Sequence, residues 1–107
     1  MIKSYLTDKI NIIRTQVDEW GAITESTQFN VDSRIEDTNE VIKDIDGKEV
    51  VGQMVIILEP DVVVEYSDFI QIVSRNGYAV DIVTRKFPVK KIEYAHGFSR
   101  SHIEVTI

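Results

Sequence analysis

Short β-branched stretches punctuated by tight-turn dipeptides are the feature that most narrows what this chain can fold into. Asp46-Gly47 lies between Val41-Ile42-Lys43 and Val50-Val51, and Asn76-Gly77 lies between Ile70-Gln71-Ile72-Val73 and residues 78–83. Asn or Asp followed by Gly suits two consecutive residues with φ > 0, the type I′ turn whose twist matches that of the strands it joins. Both dipeptides are therefore hairpin signals. Ile103, Val105 and Ile107 alternate with His102, Glu104 and Thr106, so a terminal strand rests one face on a core. Phe29, Val31, Ser33 and Ile35 repeat that period, with Asp32, Arg34 and Glu36 turned to water.

An opening strand is expected over 9–14, running on to a Val17-Asp18-Glu19-Trp20-Gly21 corner where Gly21 can take a positive φ. The apolar residues of 52–58 are continuous rather than alternating and end at Pro60, which predicts a strand buried on both faces. Residues 61–68, flanked by acids, read as a sheet edge. No stretch sustains apolar residues at helical spacing over three turns, which leaves room for at most one short helix, near 1–7 or 38–44. The expectation is all-β: a small β-barrel or sandwich of about six or seven mainly antiparallel strands. It forms one domain with a projecting loop or hairpin around 37–50.

A chain of 107 residues, 43% hydrophobic and 28% charged, can support one core without a metal or disulfide staple. It has no cysteine, which removes disulfides, thiolate zinc sites and cysteine nucleophiles and fits a reducing cytosol. Residues 1–14 hold no apolar block suited to a signal peptide, and the longest apolar run, 54–58, is far too short to span a bilayer. No membrane partner is expected. The net charge of −6 opposes free-standing binding to a phosphate backbone. Cations bunch at Arg85, Lys86, Lys90 and Lys91 while acids crowd 32–46, a polarity that fits head-to-tail docking of copies and equally fits two solvated faces.

Catalytic and ligand motifs are sparse. His96 and His102 lack the close-spaced pairs a zinc site uses. Gly97-Phe98-Ser99-Arg100-Ser101 has a serine where a nucleophile elbow needs its second glycine, and strand follows it. Asp44-Ile45-Asp46-Gly47 lacks the third chelating position and the terminal Glu of a calcium loop. Glu36-Asp37 and Asp18-Glu19 are adjacent in sequence, so in a strand they face opposite ways and cannot share a proton. No phosphate-binding glycine loop is present. The expectation is a non-enzyme without cofactor or metal. Trp20, the only tryptophan, is either a lid on the core or, if exposed, an interface anchor.

Several stretches in order resemble the head-tail joining family of tailed phages, the head-closure or stopper proteins. Residues 8–14 followed by Asp18-Glu19-Trp20-Gly21 are similar to the family's opening strand and aromatic-Gly corner. Residues 31–36 resemble its strand ending in an Arg and acids, and Asp68-Phe69-Ile70 through Gly77-Tyr78-Ala79-Val80 resembles its hairpin. His96-Gly97-Phe98-Ser99-Arg100-Ser101-His102-Ile103-Glu104-Val105 resembles the closing segment of phage minor capsid proteins.

The resemblance implies a subunit of the virion neck, made in the bacterial host cytoplasm and assembled into a six- or twelve-fold homo-oligomeric ring. It would bind portal or adaptor above and tail below, and close a channel through which DNA passes without specific binding. The matching channel loop is 37–50, with Asp37, Glu40, Asp44, Asp46 and Glu49 repelling DNA phosphate, although the same segment also reads as an exposed polar hairpin. Trp20, Tyr66, Phe98 and Arg100 are the candidate interface residues. Another neck or tail-completion protein, or an oligonucleotide- or ligand-binding small barrel, remains the alternative.

Overall fold

Residues 6–39, 41–43, 46–79, 85–96 and 101–107 are described by the computed structural model, and they form ten strands and no helix. The strands are β1 (Asp8–Val17), β2 (Ile23–Asp37), β3 (Val41–Lys43), β4 (Glu49–Val51), β5 (Met54–Leu58), β6 (Phe69–Arg75), β7 (Tyr78–Ala79), β8 (Lys86–Pro88), β9 (Lys91–His96) and β10 (Ser101–Thr106). Eight of them make one sheet in the order β7-β6-β1-β2-β5-β10-β9, with β8 also on β6, and every pairing is antiparallel. The remaining pair, β3-β4, is a separate two-stranded sheet. The all-β expectation holds, although the sheet is not closed by hydrogen bonds. Of the two places left open for a short helix, 41–43 form β3 instead, where Val41 and Ile42 favour a strand, and 1–5 lie outside the described residues.

Chain connectivity forces the sheet to roll. β8 lies at one edge and β9 at the other, yet only Val89 and Lys90 separate them in sequence. Three Cα steps of 3.8 Å cannot bridge a flat sheet of that width, so the edges must approach each other. The rolled inner face holds the core: Ile10 and Ile12 of β1, Ile35 of β2, Ile56 and Leu58 of β5, Ile70 and Ile72 of β6, and Ile103 and Val105 of β10. Cross-strand register explains the assembly of this face. Ile35 pairs with Ile56, which pairs with Val105, while Ile10 pairs with Ile72 on the other side. Val89 and Ile107 are buried beside the seam.

Two local readings need correction. Phe29 does not share the face of Val31, Ser33 and Ile35, because Gln28 pairs with Ile12 and Val31 with Ile10, so Phe29 and Asn30 together oppose Asn11. This β-bulge reverses the face alternation. Asn30 takes the left-handed conformation with φ 52°, and its N–H donates to Asn11 Oδ1 at 3.0 Å. Residues 61–68 are a loop rather than a sheet edge. The loop buries Val64, and its Tyr66 hydroxyl accepts a hydrogen bond from Ile92 N–H of β9 at 3.2 Å.

The two hairpin signals also differ. Asn76 (φ 52°) and Gly77 (φ 83°) form the two-residue turn expected between β6 and β7, closed by the Arg75–Tyr78 pair. At β3-β4 the last pair is Lys43–Glu49, so the connection is longer, and Gly47 alone of its described residues has positive φ. β5 is central as expected, but only Ile56 and Leu58 are fully buried. Val55 and Ile57, on the outer face, are half-buried.

Two buried carboxylates bind loops to strands. Asp8 accepts from Ile35 N–H and Asn76 N–H, both at 2.7 Å, joining β1 to β2 and to the β6-β7 turn. Asp68 accepts from Arg14 Nε and Nη2, both at 2.9 Å, and from Glu65 N–H at 2.8 Å. This bidentate pair fixes the 59–68 loop against β1. It also holds the Arg14 guanidinium above its already high ordinary pKa, chiefly through the hydrogen bonds to Asp68.

Candidate interaction surface

β1 and β2 are longer than the strands beside them, and the excess projects as an arm. β6 covers β1 only as far as Ile13, and β5 covers β2 only from Ser33 onward. Pro60 contributes to this limit, since it cannot donate to a ladder that would extend β5 along β2. Beyond those points β1 and β2 pair only with each other, ending at Val17–Ile23, so both arm edges lack a partner strand among the described residues. The tip is well built: Asp18 Oδ1 accepts from Trp20 N–H at 2.9 Å and Ala22 N–H at 2.8 Å, and Gly21 has φ 81°.

The arm carries large apolar side chains in water. Trp20 at the tip is 84% exposed, Val17 67%, Ile23 72% and Phe29 71%. Val17 and Ile23 are directly opposed, and alternation from Ile23 brings Glu25, Thr27 and Phe29 to the same side of β2. The exposed apolar side chains of this face therefore stand at its two ends, Val17 and Ile23 beside the tip and Phe29 toward the base, with Glu25 and Thr27 between them. The opposite face is tied down at its base, where Gln28 Nε2 donates to Val63 O at 2.9 Å. Asp18 N–H donates to Ala22 O, which marks a hydrogen-bonded pair. Alternation then points the backbone groups of Ile23, Glu25 and Thr27 away from β1, toward solvent.

The β3-β4 hairpin is the second projection. Its base is anchored by Thr38 N–H donating to Gln53 O at 2.9 Å. Between this hairpin and the outer face of the sheet lies a cleft of about 440 Å³ bordered by Ile42, Val55, Thr106 and the charged Glu36, Glu93 and Glu104. Charges there are interleaved: Lys91 approaches Glu93, Arg34 lies 3.3 Å from Glu36, and His102 Nε2 lies 3.7 Å from Glu104. Among the described residues no three His, Asp or Glu converge to hold a metal ion.

The residues singled out in the sequence are dispersed. Asp37 closes β2 and pairs with Arg75 at 3.4 Å, whereas Asp46 and Glu49 belong to the β3-β4 hairpin. Glu40, Asp44, Phe98 and Arg100 lie outside the described residues. Tyr66 is engaged within the chain through Ile92. Of the two members of the candidate interface set that are described, Trp20 is far more exposed than Tyr66. Of the companions of Trp20 on the arm, Val17 reads in the sequence only as part of the corner, Ile23 carries no signal of its own, and alternation assigns Phe29 to a core face; the signal available is Asn30, a residue suited to the bulge that turns Phe29 outward. Of the late cations, Lys86 reaches Glu25 at 3.7 Å and Lys90 Nζ donates to Val51 O at 3.0 Å. No family model, curated protein or solved structure matches the chain.

Proposed function

We propose that this chain is a structural subunit of the neck of a tailed phage or prophage, joining the portal or adaptor to the tail and closing the DNA channel by ring assembly. The observation that carries this reading is where the large exposed apolar side chains lie. Val17, Trp20, Ile23 and Phe29 stand on an arm projecting from a rolled sheet, and Val41 and Val51 are exposed on the β3-β4 hairpin, whereas the other exposed apolar side chains, Tyr78 and Tyr94 the most open of them, are spread over the rest of the surface. Exposed apolar surface of this kind suits contact with other proteins. The order of motifs resembling the head-closure proteins supplies the particular particle. Within it, the acids of 37–50 repel DNA phosphate and favour closure over grip.

The test is cosedimentation with portal-bearing, tail-less particles, comparing the wild type with a variant in which a short linker replaces residues 41–51. Among the described residues β3 and β4 form backbone ladders only with each other, so the main sheet can form without them. Binding by both proteins, with DNA leakage only in the variant, identifies a plug. Loss of binding in the variant identifies an adhesive. Failure of the wild type to bind the particles, together with no ring in electron micrographs, defeats the proposal.

A further inference from the structure

We infer that the β1-β2 arm is the element by which one copy of this chain grips the next, head to tail, with Trp20 as its anchor. The inference rests on the ring-assembly reading but identifies the surface and the occupant, which is a second copy of this chain.

The first argument is area. The exposed parts of Val17, Trp20, Ile23 and Phe29 amount to roughly 500–600 Å², given about 150–250 Å² for an aromatic side chain. One side of an ordinary protein interface buries about 800 Å². The arm therefore supplies most of one side of such an interface, and a two-stranded ribbon is too thin to enclose a small molecule by itself.

The second argument is backbone chemistry. Two strands alone are marginally stable in water, yet the arm extends to Val17–Ile23 with both edges lacking a strand among the described residues. Ile23, Glu25 and Thr27 present outward N–H and C=O groups, which another strand satisfies more completely than a side chain does. A protein partner fits both the exposed apolar side chains and the edge.

The third argument concerns symmetry. If two arms paired edge to edge about a two-fold axis, the register using Ile23, Glu25 and Thr27 would place Glu25 opposite its own copy. Like charges directly opposed across a ladder are destabilising, and the exposed contact of Lys86 with Glu25 at 3.7 Å is too weak to cancel that repulsion. The arm is therefore better seated on a different patch of the next copy, and repeated contacts of that kind generate rings when the rotation closes.

The chain carries its own reporter, because Trp20 is the only tryptophan and there is no cysteine. Sedimentation velocity over a concentration series, read beside Trp20 emission and acrylamide quenching, should give species larger than a dimer, with emission moving to the blue and quenching falling together. On portal-bearing particles, a dye on Glu19→Cys replaces the tryptophan signal. Trp20→Ser should weaken association roughly 30-fold, corresponding to about 2 kcal/mol for a buried aromatic anchor, with circular dichroism unchanged. Val63→Ser, at an exposed residue off the arm, should leave association intact. Assembly that leaves Trp20 solvent-exposed overturns the arm inference while the ring reading survives. A closed dimer overturns the head-to-tail geometry. Absence of association both alone and on particles overturns inference and ring reading together.

Discussion

Replacing Arg14 with Leu tests the account of how the fold is held together. The Asp68 side chain is fully buried, and two of its three hydrogen bonds come from Arg14. Leucine fills much of the volume but leaves a carboxylate in the interior with only Glu65 N–H as partner. Removing one member of a buried ion pair costs about 3–5 kcal/mol, because the remaining charge keeps its desolvation penalty. For a chain of 107 residues this corresponds to a fall in Tm of roughly 15–25 °C. It is a large share of the ~5–15 kcal/mol that a small domain possesses. Asp68→Asn in the Arg14→Leu background removes the stranded charge while keeping an acceptor for Glu65 N–H. The double variant should therefore recover at least half of the loss. Urea titrations of wild type, both single variants and the double variant complete the cycle. A loss below about 1 kcal/mol for Arg14→Leu, or strictly additive losses, would refute the buried-pair reasoning.

Ser33 Oγ is buried and has no hydrogen-bond partner among the protein groups. Ser33→Ala removes that unsatisfied hydroxyl and should leave stability unchanged or raise it by up to about 1 kcal/mol, measured by thermal melting; a loss above that would mean the hydroxyl is satisfied. At the bulge, Asn30→Gly should be tolerated within about 0.5 kcal/mol, whereas Asn30→Val should cost about 1–2 kcal/mol because a β-branched residue resists a left-handed backbone. Equal melting temperatures for the two Asn30 variants would contradict the bulge geometry.

Much of the fold can be read along the chain because strands and tight turns are local. The period of two in 103–107, the Asn76-Gly77 turn and the glycine of the Trp20 corner each follow from side-chain sterics and backbone preference over a few residues. The architecture obeys the same rule wherever the pattern is uninterrupted. It fails at Phe29, where one extra residue reverses the faces, and at 61–68, where Val62 and Val64 pack against the core from a loop instead of a strand.

The candidate surface divides in the same way. Trp20 attracts notice by its residue type alone, but whether it covers the core or stands in water depends on how far β5 and β6 extend along β1 and β2. The carboxylates of 37–50 are contiguous in sequence, yet Asp37 is drawn to Arg75, a partner far along the chain. Local alternation and turn chemistry thus determine that this protein is built of antiparallel strands. Strand length, register and the short link through Val89 and Lys90 act between distant residues, so only the tertiary structure decides that the sheet rolls and that an apolar arm is left uncovered.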